Sequence, residues 1–304
     1  MDETNLKWKG LRIRMKKAIK NLFGGIDLTW PKLIIAAVIA GVLTAGIAII
    51  PALLHTSLHA ITVTFEVWIL FGILIIMNSK SNLDSALKCF VFFLISQPLV
   101  YLLQVPFSWM GWQLFGYYKY WFIWTILCFP MGYIGYYMKK GKWWGYLILL
   151  PMILLTAYSY LAYFSDFLFY MPRFILICIF CACAMILYPV VIFEDKRIRT
   201  VGAAIGAAAV VALTVVGFLN PPVYSTEIMS NNKEHKFDDT YTVTLADEKY
   251  GSVEIKYIDS LENFMVHAEF KRAGKTVLTL LSPSGEKQEY DLIIERDAYE
   301  LTRR

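Results

Sequence analysis

LIIAAVIAGVLTAGIAIIPALL, residues 33–54, carries no charged side chain over a length that matches the hydrocarbon of a bilayer. About 20 apolar residues are enough to take a helix through ~30 Å of lipid tails. Six further runs of the same kind follow, over residues 58–77, 86–103, 120–138, 143–164, 172–193 and 201–219. The chain is 58% hydrophobic with a mean hydropathy of +0.52, which excludes an ordinary soluble globule. The expected fold is therefore an α-helical polytopic membrane protein of about seven transmembrane helices.

Past Asn220-Pro221-Pro222 the period changes. TYTVTLA (240–246), SVEIKYI (252–258), NFMVHAEF (263–270), KTVLTLL (275–281) and QEYDLII (288–294) alternate apolar and polar residues, as half-buried strands do. Five short strands, with Ser282-Pro283-Ser284-Gly285 as a turn between the last two, predict a C-terminal all-β sandwich. The pair KTVLTLLSPSGEKQEYDLIIE (275–295) is similar to the closing hairpin of bacterial Ig-like repeats, a resemblance that implies an Ig-like fold. Three regions follow: a basic amphipathic segment over 1–30, a membrane domain over 31–219, and a β domain over 220–304. In the first, Leu11, Met15, Ala18, Ile19 and Leu22 form one stripe of a helix over 6–23, suited to an anionic inner leaflet.

Charge sets the orientation. Residues 1–219 hold 18 Lys/Arg against 8 Asp/Glu, and residues 220–304 hold 11 against 16. With the N-terminus inside, the cytoplasmic flanks carry 16 Lys/Arg, while the short loops opposite carry only Lys119 and Arg173. The positive-inside rule places the N-terminus in the cytoplasm and the β domain outside. The basic balance thus marks cytoplasmic loops and not a nucleic-acid partner. All five cysteines lie within the apolar runs, so the exported region folds without disulfides, which suits a bacterial plasma membrane.

Charged and polar groups inside apolar runs are the functional candidates. Glu66, in ITVTFEVWIL, lies ~12 Å below the outer end of its run at ~1.5 Å per residue, and Gln97 lies ~9 Å below the end of the next. At similar depth on sequential helices, the two are expected to meet. Such a pair serves as a cation or proton site, as the floor of a substrate pocket, or as a structural hydrogen bond made by a neutral acid. Trp109 and Trp112, in QVPFSWMGWQLFGYYKYW (104–121), suit an interfacial aromatic cap over that pocket. His55 and His59 share a helical face if that helix begins early, but have no third ligand nearby except Glu66, so no metal is assigned. Asp166 and Arg173 read as interfacial charges or a local ion pair. Cys178-x-x-Cys181 has thiol-oxidoreductase spacing, yet its depth favours packing. Ala36/Ala40, Ala37/Gly41/Ala45 and Gly202/Gly206 repeat at four-residue spacing, as closely packed membrane helices do.

The stretch SKSNLDSALKCFVFFLISQPLVYLLQVPFSWMGWQLFGYYKYWF (79–122) resembles a segment of multi-spanning bacterial membrane proteins that have a small β-rich exterior tail and no assigned activity. The resemblance implies architecture alone. No hydrolase, intramembrane-protease or nucleotide-binding signature is present, so no catalytic residue and no cofactor are assigned. The favoured expectation is a non-enzymatic binding or accessory protein, embedded in lipid, that presents its exterior domain to envelope components or a membrane or envelope protein partner. The first alternative is a transporter-type protein with an outward-facing pocket near Glu66 and Gln97. The second is an intramembrane thiol redox enzyme.

Overall fold

A computed structural model describes residue 14, residues 18–232 and residues 236–304. The helix expected over 6–23 lies largely outside the described residues, although residues 18–22 are helical. Each apolar run folds as helix: α1 (Trp30–Ile49), α2 (Ser57–Val63), α3 (Phe65–Met77), α4 (Asn82–Gln104), α5 (Phe115–Gly135), α6 (Trp143–Phe169), α7 (Ile175–Ile192) and α8 (Lys196–Leu219). Five of these regions, α1, α4, α6, α7 and α8, are long and apolar enough to cross a membrane. Counting α2 and α3 as one bent span makes six. The remaining run, in α5, has the length, but its tyrosines, tryptophans and Lys119 leave it less apolar.

The chain divides into two compact units. One runs to Tyr160 and resumes over Leu176–Leu213; the other comprises Leu161–Ile175 and Thr214–Arg304. In the first, α4 packs between α1 and α5 because small residues let backbones approach. A Cβ at Gly41 would lie 2.9 Å from the Ser96 carbonyl, and one at Gly132 3.0 Å from that of Ser85. Ser85 then donates to the Gly132 carbonyl at 2.9 Å. Ser81 caps α4 by accepting from the Asp84 N–H, and Asp84 pairs with the buried Lys88 at 2.8 Å. Pro98 lies inside α4 without ending it. At the end of α3, buried Asn78 uses its whole amide: it donates to the Leu22 and Leu74 carbonyls and accepts from the N–H groups of Gly24 and Ile26.

The second unit contains seven strands: β1 (Tyr224–Ser230), β2 (Thr242–Leu245), β3 (Gly251–Ile258), β4 (Asn263–Phe270), β5 (Gly274–Leu281), β6 (Lys287–Ile294) and β7 (Tyr299–Arg303). They form two antiparallel sheets, ordered β1-β4-β3 and β2-β5-β6-β7. Alternation puts Val266, Ala268 and Phe270 of one sheet, and Leu278, Leu280, Tyr290, Leu292 and Ile294 of the other, into a common core. The five expected strands are all present; β1 and β7 are additional.

The linker before β1 is tied down within this unit. Tyr170, in the corner after α6, places its hydroxyl 3.0 Å from the Pro222 carbonyl and 2.9 Å from that of Phe270. Burial pushes this phenol up to about 12, so it is a donor at neutral pH. The Ala273 N–H donates to the Phe169 carbonyl at 2.8 Å. Asp166 does pair with an arginine, but the partner is Arg296, 130 residues on, whose Nε lies 2.8 Å from its carboxylate. Two alternating sheets and the helix corner after α6 are thereby joined through polar contacts that no local pattern announces.

Candidate functional site

The bend at Thr64 organises the candidate site. Ile61-Thr62-Val63-Thr64 is a run of β-branched residues, which lose χ1 freedom in a helix. Both threonines also bond back one turn, Thr62 to the Leu58 carbonyl at 2.9 Å and Thr64 to that of Ala60. Such back-bonding competes with the helix ladder and bends it. Thr64 takes an extended conformation, with φ −94° and ψ −165°, and α2 and α3 meet at 51°. The indole N–H of Trp68 bridges the break by donating to the Thr62 carbonyl at 3.0 Å.

Phe65 and Glu66 open α3, and the 100° step between successive helical residues sends them in different directions. Glu66 is 1% exposed. Its Oε2 contacts the Thr64 hydroxyl, which also faces the Ala60 carbonyl, and its Oε1 has no hydrogen-bond partner among the described residues. Cys181 and Tyr188 of α7 lie within electrostatic reach of the carboxyl. A carboxylate in the first turn of a helix is favoured by the helix dipole, whereas burial with an empty lone pair is costly.

Gln97, 3% exposed on α4, also leaves its Nε2 unpartnered, as Ser96 does its Oγ. No hydrogen bond joins Glu66 to Gln97, so these two groups are both buried without forming the expected pair. Trp109 and Trp112 are 94% and 70% exposed; Trp112 stacks on Phe115 at 5.8 Å, and neither ring is buried against Glu66 or Gln97. Cys178 and Cys181 are buried one turn apart on α7. No group of three His, Cys, Asp or Glu side chains among the described residues is arranged to hold a metal ion.

On the other side of the break, Phe65 enters an aromatic cluster. Its ring lies 5.2 Å from Trp121 and 5.3 Å from Trp124, and Trp68 lies 5.8 Å from Phe93. These rings wall a narrow cavity of about 90 Å³, with Gly72, Cys89 and Cys128 also lining it. It adjoins a wider groove of about 770 Å³ between α5 and α6, and both are lined by Trp124, Met131, Pro151, Met152 and Leu155. Every residue of the groove wall is apolar apart from the indole N–H of Trp124. Its chemistry is therefore that of a hydrocarbon-binding surface. The sequence carries a signal for it: Trp121 and Trp124, three apart on α5, share one helical face. The run of tyrosines around them conceals that spacing.

No family model, curated protein or solved structure matches this chain.

Proposed function

We propose that the chain is a non-enzymatic binding protein of a bacterial plasma membrane, in which the helices hold the hydrocarbon chain of a lipid-like molecule. Seven spans are counted by taking α2 with α3 as one and α5 as another. The N-terminus is cytoplasmic, and residues 220–304, an Ig-like sandwich, face outward toward envelope components or a protein partner. The orientation rests on the 16 to 2 charge bias. Ser284→Cys should react with an impermeant maleimide on intact cells, and Lys80→Cys only after lysis. The reverse pattern would sink the orientation.

One observation carries the binding function: an apolar groove that narrows to an aromatic-walled cavity within the helices. Lipid chains are the molecules that reach such a surface from within a bilayer. Gly72 provides the test, since a Cβ there meets nothing within 4 Å. Gly72→Leu should fill the cavity without disturbing the backbone. Lipids extracted from the purified full chain and quantified by mass spectrometry should fall at least several-fold in the variant, with its melting temperature kept. The same lipids in the same amount in both preparations would end this reading.

A second reading, a transporter-type protein with an outward-facing pocket near Glu66 and Gln97, is favoured by the broken α2–α3 segment. Interrupted helices at membrane depth are a recurring way to present ligand groups inside transporters.

A further inference from the structure

We propose that the break between α2 and α3 binds a small monovalent cation, with Glu66 and Thr64 supplying oxygen ligands. The inference rests on the second reading in its choice of site, but binding does not require transport. Glu66 is among the most buried polar residues, and its Oε1 has no hydrogen-bond partner among the described residues. A buried carboxylate oxygen with an open lone pair leaves a large desolvation cost uncompensated, and a cation compensates it directly. Thr64 Oγ1 stands against the other carboxylate oxygen and brings a neutral ligand to the same place.

The break adds further oxygens. The last carbonyls of a helix lose their i+4 donors and point along its axis. Those of α2 therefore turn toward the bend, where the Thr62 carbonyl takes the Trp68 indole and keeps a second lone pair, while the Ala60 carbonyl retains its i+4 partner in the Thr64 N–H. Unwound carbonyls beside a helix break are a recurring source of ligands for alkali cations in membranes.

Charge selects the class of ion. No Lys, Arg or His forms a salt bridge with Glu66 among the described residues, and Cys181 and Tyr188 lie within its electrostatic reach. One carboxylate neutralises one monovalent charge, and a divalent ion would leave an excess charge in an apolar interior. Oxygen ligands, with no cluster of three His, Cys, Asp or Glu side chains among the described residues, suit hard cations and not zinc-type ions.

The test uses the purified full chain in detergent at fixed pH and ionic strength. Choline chloride is exchanged stepwise for sodium, lithium or potassium chloride, and thermal unfolding is followed. At a hundredfold excess over Kd, one of the three should raise Tm by roughly 5 °C in a saturable way. Glu66→Gln should lose that shift, and Thr64→Val should weaken the apparent affinity. Radiolabelled sodium bound by the wild-type protein and displaced by the unlabelled ion provides a readout that needs no variant if Glu66→Gln fails to fold. The site is overturned if no cation stabilises beyond choline and no label is retained, or if Glu66→Gln responds as wild type does. Labelled-sodium uptake into proteoliposomes is measured separately: binding without uptake keeps the site and removes the transport reading.

Discussion

Gly251→Ala should unfold the β sheets while leaving the helices intact. Gly251 opens β3 opposite Phe270 of β4, with φ at +148°, a region that residues with a side chain rarely enter. A Cβ built there would lie 2.1 Å from the Glu269 carbonyl oxygen and 2.9 Å from the Phe270 Cα. Both obstacles are backbone atoms of the central strand of the three-stranded sheet, so no side-chain rotation relieves the clash. Moving β4 would disturb Val266, Ala268 and Phe270 at the centre of the core. Strain and lost packing together should cost about 3 kcal/mol or more. Limited proteolysis of the full chain over a temperature ramp, with cleavage sites mapped by mass spectrometry, should show cuts in residues 224–304 at a much lower temperature than in wild type. Gly285→Ala is the graded control. That glycine also has positive φ, at +86°, but a Cβ meets nothing within 4 Å, so only the backbone strain of about 1 kcal/mol remains. Equal loss in the two variants would refute the steric account.

The two halves of the chain differ in how openly the sequence states them. Five strands are legible because their alternation has one period and one core-facing side; Val266/Ala268/Phe270 and Tyr290/Leu292/Ile294 are each spaced by two. β1 escapes that reading because its register shifts between Glu227 and Met229, which places buried Ile228 and Met229 side by side. β7 escapes because it is a five-residue edge strand rich in charge, as sheet edges often are. Within the helices, hydropathy sums over residues 58–77 without registering the threonine hydroxyls that bend the segment at Thr64. Burial of Glu66 and Gln97 follows from their place in apolar runs. Their failure to bond does not, because it depends on how the helices rotate about their axes. The Asp166–Arg296 pair and the aromatic cavity depend on which distant surfaces meet and how well side chains fill the space between them.

The small-residue motifs sharpen that distinction, and they yield a contrast in sign. Of the faces with four-residue spacing on α1, Ala37, Ala40, Gly41 and Ala45 are buried, while Ala36 is exposed. On α8, Gly206 is the tightest of the helical glycines: its Cβ would fall 2.4 Å from the Met185 carbonyl oxygen and 3.2 Å from the Ile186 Cα. That contact lies within this chain, between α7 and α8, so the motif is already used internally. Gly206→Ala should therefore push two helix backbones apart and forfeit their close contacts. Gly46, in α1, has the same residue type and a helical setting, but a Cβ there meets nothing within 4 Å. Gly46→Ala should gain helix propensity, up to about 1 kcal/mol, with no clash against it. Overpacking a close contact costs about 1–3 kcal/mol, and a rigid backbone obstacle puts Gly206→Ala at the upper end. Thermal unfolding of both variants in the same detergent should move Tm in opposite directions, down by several degrees for Gly206→Ala and level or upward for Gly46→Ala. If Gly206→Ala were as stable as wild type, α7 and α8 would not approach as closely as the structure has them.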